Sequence, residues 1–223
     1  MKLYFSPLAC SLSCRIAIYE SDARCALVAV DPSTKRAADG RDFAAVNPLG
    51  LVPALETDDG FVLTENAAVL QHLADRAPDA GLAPRDAAGR SRLHQWLSFV
   101  GTELHKAVFY PLLDKKSPPG AREYALSLAA PRLDHVARAL EGRATLLDRF
   151  GVADAYLFAV LNWTVVTPLD LRTTWPSLAA FMKATLARPA VTRAFDEEKA
   201  LWLAEQGGAL PERVRAAATG SRW

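Results

Sequence analysis

The chain has 223 residues, 51% of them apolar and 23% charged, with 26 Lys and Arg set against 25 Asp and Glu. That length suits one large or two small domains with cores of their own, and the charge balance gives no reason to expect a nucleic acid or a membrane surface as partner. No run of about 18 apolar residues is available to cross a bilayer, and three cysteines near one end, Cys10, Cys14 and Cys25, argue against a disulfide framework and for a reducing, cytoplasmic compartment.

The opening Met-Lys-Leu-Tyr-Phe-Ser-Pro lacks a cationic segment followed by an apolar run, which predicts no signal peptide. Lys2–Phe5 reads as a short buried strand, Ser11–Ser21 as a helix with Leu12, Ile16 and Tyr19 on one face, and 26–30 as a second strand. Such a βαβ unit predicts parallel strands and a right-handed crossover. A polar loop (31–42), a short turn (43–46) and the breaker run Asn47-Pro48-Leu49-Gly50 follow. Strands at 52–56 and 61–63 flank Asp58-Asp59-Gly60, a hairpin signal. A helix over 64–76 carries a buried stripe of Ala67, Leu70, Leu73 and Ala74 and stops before Pro78.

Residues 78–89 have the composition of a linker. Beyond them helical periodicity recurs over 90–110, 121–141, 152–166, 175–187 and 191–205, with no convincing strand. The plan is therefore an α/β domain over residues 1–80, an all-helical domain over 88–206, and a Gly-, Ala- and Arg-rich tail over 207–223 expected to be flexible.

Cys10 falls between the first strand and the first helix, where unpaired N–H groups and the helix dipole favour a thiolate; the alternative is a small buried hydrophobe filling a turn. Cys14, one turn on, is poorly placed for a disulfide with Cys10 and reads as structural, with a resolving-thiol role as the lesser reading. Cys25 reads as packing. Pro53, lacking a donor, belongs at a strand start, cis or trans. Glu65 stands at a helix N-terminus, where backbone N–H groups can hold a carboxylate and its own side chain can pair with an ammonium; it can equally be a first-turn glutamate complementing the dipole. His94 and His105 lie roughly 16 Å apart along one helix and cannot share an ion, so no metal is expected. His94, Ser98, Thr102 and His105 form a polar stripe facing either water or a cleft.

Five segments, 1–13, 47–55, 63–75, 96–106 and 152–158, together resemble the beta class of bacterial glutathione transferases, in order over about residues 1–205. The resemblance implies a thioredoxin-like N-terminal domain joined to an all-α domain, and an enzyme conjugating reduced glutathione to hydrophobic electrophiles in a detoxification role. Cys10 matches the cysteine contacting the glutathione sulfur, Val52 the residue whose backbone pairs with the cysteinyl moiety before a cis Pro53, and Glu65 with Asn66 the γ-glutamyl site. Lys35 and His105 match positions near the glycyl end and the sulfur, and Glu103 a residue reaching the partner subunit's glutathione in a homodimer. Phe109, Tyr110 and Trp163 are candidates for the electrophile site. Leu51 stands where a polar residue is common, and Gly151 where Ser or Thr caps a helix, at an expected cost of a few tenths of a kcal/mol. Other readings are thiol transfer through Cys10, a non-catalytic binding or stress protein on the same fold, and a glutathione-dependent dehalogenase or isomerase.

Overall fold

In a computed structural model of the chain, residues 1–207 are described; all but the first residue of the expected tail lie outside them. Strands β1 (Lys2–Phe5) and β2 (Ala26–Ala29) are parallel, Leu3 opposite Leu27, and are joined through α1 (Leu12–Glu20). β3 (Ala54–Glu56) runs antiparallel to β1 and β4 (Val62–Thr64) antiparallel to β3, giving the sheet order β2-β1-β3-β4. Alternation along β1 sends Leu3 and Phe5 to one buried face and Tyr4 to the other, where it meets Phe43 with ring centroids 5.6 Å apart. Both faces are covered, as the unbroken Leu-Tyr-Phe run requires.

The helix after β4, α2, spans Asn66–Arg76 rather than starting at Thr64, because Glu65 adopts φ 67° and cannot continue a right-handed helix. The expected linker is partly structured. It contains a 3-10 turn at Pro78–Ala80, and α3 (Ala87–Phe99) starts inside it, with the Asp86 side chain accepting from the Gly89 N–H. A π-helical stretch (Val100–Phe109) and α4 (Tyr110–Leu113) continue α3 without a break. Then come α5 (Pro119–Ala139), α6 (Val152–Leu161), a 3-10 segment (Asn162–Val166), α7 (Leu171–Thr174), α8 (Pro176–Leu186) and α9 (Pro189–Glu205). Helix α7 lies outside the expected helices; it is a single turn nucleated by the Asp170 carboxylate accepting from the Arg172 and Thr173 N–H groups.

Helix α1 packs against α6 and α9, so the two domains share one hydrophobic core. Residues Leu12 to Ile18 of α1 are all buried. Two polar connections flank that contact. Arg188 of α9's N-cap grips Glu20 through two hydrogen bonds of 2.7 Å, and buried Arg15 pairs with Glu197.

All ten residues of α6 are buried, including its one charged side chain. Asp154 accepts N–H groups from Leu146 at 2.8 Å and Gly151 at 3.0 Å, while burial pushes its carboxyl up to about 6. The small cost expected of Gly151 as a cap is overturned. The Val152 N–H donates to the Leu82 carbonyl at 3.0 Å, and a Cβ on Gly151 would stand 2.5 Å from that oxygen. Glycine is there because a backbone passes too close for a side chain. Gly151→Ser should therefore destabilise the protein by about 1–3 kcal/mol instead of improving the cap, measured as a lower urea midpoint at unchanged slope.

Candidate active site

The loop between β1 and α1, the β3 entry, the α2 N-terminus and the inner face of the α3–α4 rod meet around a cavity of about 910 Å³. Cys10, Lys35, Val52, Pro53, Glu65, Asn66 and His105 all line it. Glu103 does not: it ion-pairs with Arg132 of α5 at 2.6 Å, outside the cavity.

Of the two readings of Cys10, burial favours the neutral thiol. Cys10 is 6% exposed, and its Sγ–H donates to the Val52 carbonyl at 3.4 Å. Burial pushes the thiol up to about 12, against the smaller opposing pull of Lys106 and of the Cys10 and Ser11 N–H groups. The N–H donors at the helix terminus do pull the thiol down, but desolvation outweighs them. Cys14 lies deeper, its Sγ–H donating to Asn66 Oδ1 at 3.3 Å, and burial raises its thiol too. All three cysteines are free.

The Val52–Pro53 peptide bond is cis, immediately ahead of β3. Glu65 precedes α2 at φ 67°, a sparsely populated region for a residue with a side chain, and such strain gathers at functional sites. Its carbonyl accepts from the Ala68 and Val69 N–H groups, so the N–H groups of Asn66 and Ala67 open toward the cavity as the unpaired first donors of the helix. The Asn66 side chain is buried and donates to Ser13 Oγ at 3.0 Å. Lys35, at φ 58°, donates from Nζ to the Gly50 carbonyl at 3.0 Å on the opposite wall. Leu51 there is 45% exposed.

The α3–α4 rod presents Ser98, Thr102 and His105 to the cavity, while His94 stays on the solvent side. The stripe thus splits. The π-helical stretch winds with more residues per turn, which carries Gly101, His105 and Lys106 onto one face. His105 Nδ1 and Tyr156 Oη share a hydrogen bond of 2.9 Å. Burial, aided by Lys106, lowers the imidazole to about 4 and burial raises the phenol, so the pair is neutral at physiological pH. Trp163 packs against His105 with centroids 4.9 Å apart and lines the cavity with Tyr110. Phe109 does not line it: it is fully buried against Trp163. Lys106 and Tyr156 were missed as site residues; Lys106 continues the four-residue spacing of Ser98 and Thr102, a signal that could have found it, while the fold contact that brings in Tyr156 has no signature in local spacing. Among the described residues no group of three His, Cys, Asp or Glu could hold a metal ion, and no helix is long and apolar enough to cross a membrane.

Two outcomes follow from these environments. Iodoacetamide at pH 7.5 should alkylate half-buried Cys25 before Cys10, read by peptide mass spectrometry of the ligand-free protein. The neutral form of His105 is the one the fold prefers, so its contribution to stability is complete above about pH 6.5 and is lost as pH falls through about 4. Accordingly its imidazole resonances should titrate near 4, and Tm should fall more steeply across that window than in His105→Asn.

Residues 1–75 match the glutathione S-transferase N-terminal domain and residues 104–189 the C-terminal domain of the same family. Over 200 residues the chain is 41% identical to the Escherichia coli O157:H7 protein "Glutathione S-transferase GstA", covering 89% of this chain and 98% of that one. A sphingomonad glutathione S-transferase solved in complex with glutathione superposes with a TM-score of 0.84 at 40% identity, over 89% of this chain and 99% of that one. The beta-class glutathione S-transferase of Sphingomonas chungbukensis gives 0.84 at 42% identity, over 89% and 98%. With a four-stranded mixed sheet, a helical second domain and a Cys10-bearing cavity between them, the chain belongs to the beta class of the glutathione S-transferase family.

Proposed function

We propose that this transferase binds reduced glutathione across the sheet-side wall of the cavity and conjugates it to a hydrophobic electrophile held by the helical side. One observation carries the reading: a single cavity unites Cys10, the unpaired N–H groups of α2 with Glu65, and an apolar flank that includes Tyr110 and Trp163. The α2 N–H groups suit the γ-glutamyl carboxylate and Glu65 its ammonium. The Val52 backbone suits the cysteinyl amide, and Lys35 the glycyl carboxylate. That arrangement sets the glutathione sulfur near Cys10.

A Cys10 thiol held protonated is a hydrogen-bond donor. It would release Val52 and donate to the glutathione thiolate, stabilising the charge that must persist until attack. His105, neutral and fixed by Tyr156, adds a second polar group on the opposite wall. The thiol proton of bound glutathione passes to solvent; the thiolate then attacks the electrophilic carbon, the new C–S bond takes the sulfur electron pair, and the leaving group departs with the pair of the broken bond. Thiol transfer through Cys10 is the second reading and needs the opposite protonation state, which burial opposes.

The further reading is a cytoplasmic detoxifying homodimer. Exposed Phe61 and Val62 at the start of β4, and exposed Tyr124 and Leu126 on α5, supply apolar area for such a contact, and Glu103 is proposed to reach the partner's glutathione from the α3–α4 rod.

Titration calorimetry with reduced glutathione should give micromolar-to-millimolar binding that Glu65→Ala weakens at least tenfold. Absence of heat at high millimolar glutathione would overturn the reading in favour of a binding protein. Cys10→Ala should lower chlorodinitrobenzene conjugation and flatten its pH dependence; lost disulfide exchange with conjugation intact would favour thiol transfer.

A further inference from the structure

The loop that carries Cys10 is gripped from the far domain at one residue. Leu8 lies two positions before Cys10 and lines the cavity. Its φ of 58° is a left-handed conformation that a side-chain-bearing residue leaves when nothing holds it. Its N–H donates to Glu198 Oε2 at 2.8 Å, and its carbonyl accepts from Trp163 Nε1 at 2.9 Å. Glu198 comes from α9 and Trp163 from the 3-10 segment after α6, so both clamping groups belong to the helical domain.

Glu198 is fully buried. Its other oxygen, Oε1, accepts no hydrogen bond and faces Arg15 Nη1 at 3.8 Å, itself buried without a hydrogen-bond partner. Burial pushes the Glu198 carboxyl up to about 8; burying a polar group with one oxygen unpartnered is costly, and packing α1 against α9 does not require it, since the neighbouring Arg15–Glu197 and Arg188–Glu20 pairs already bridge that contact. What Glu198 adds is an acceptor for the Leu8 N–H. We infer that Glu198 is a positioning residue for the glutathione-thiol site, holding Leu8 in its left-handed conformation, and with it the start of the Cys10 loop, from the opposite domain. It touches no substrate and acts only through the backbone of Leu8. The inference rests on the reading of the Cys10 loop as a wall of that site.

The test is a double-mutant cycle on kcat/KM for glutathione, with chlorodinitrobenzene as electrophile. Glu198→Ala should lower kcat/KM about tenfold, the factor set by freeing a residue from left-handed backbone. In a Leu8→Gly background the same substitution should cost less than about threefold, because glycine needs no clamp to stay at positive φ. A general loss of domain packing would cost the same factor in both backgrounds, and that result overturns the inference. Glu198→Gln keeps an acceptor for the Leu8 N–H and should retain kcat/KM within about threefold, including where the alanine variant fails to fold; a tenfold loss in Glu198→Gln at unchanged Tm would also overturn it. Hydrogen exchange at the Leu8 amide needs no electrophile. Faster exchange in Glu198→Ala alongside absent turnover in the parent would sustain the clamp while failing the conjugation reading, and unchanged exchange would sink the clamp alone.

Discussion

Everything at the active site hangs on the burial of α1 from every side. A helix apolar around most of its circumference has no solvated face and must be enclosed; here Leu12 to Ile18 are enclosed by the sheet, α2, α6 and α9. Each side chain of α1 is then fixed by two layers at once, and the loop entering it is fixed with them. The cost is that polar groups inside the contact must find partners. Ser13 and Asn66 bond each other, Arg15 finds Glu197 and Tyr19, and Ser11 closes on Ser6. The Cys10 loop inherits its precision from this packing rather than from its own sequence.

The same enclosure sets the chemistry. Desolvation penalises charge, so the groups deepest in the cavity are kept neutral: Cys10 as a thiol, His105 as an imidazole, Tyr156 as a phenol. Charge is left to the rim, on Lys35, Glu65 and Lys106, where a zwitterionic peptide can be held by its ends. A neutral interior with charged edges fits a ligand that brings its own anionic sulfur, since donors there become strong only when a charge arrives for them to face. An internal thiolate would compete with that sulfur for the same donors.

Much of this was legible in the residues. The βαβ and ββα order, the break at Pro78 and the helical second half follow from period and punctuation, and local burial patterns are what such signals encode. Glu65 at a helix start and Pro53 at a strand start could be placed by position alone. Errors arose where two elements distant in sequence meet. Helix-end donors argued for a Cys10 thiolate, but the strength of desolvation depends on what the helical domain lays over the loop. Gly151 reads as a mild cap defect until Leu82, nearly seventy residues earlier, supplies a carbonyl against it. Phe109 and Tyr110 are neighbours, yet the winding of the rod sends one to the core and the other to the cavity.

By itself the sequence determined the main strands and helices, the order of an α/β half and a helical half, and which side chains could carry thiol and carboxylate chemistry. These rest on local propensity and periodicity, which a few residues settle among themselves. The tertiary structure alone decided protonation states, the face each rod residue shows, and the grip of Glu198 and Trp163 on Leu8. Those depend on dielectric surroundings and on contacts between residues more than 150 positions apart, and no local pattern records such a distance.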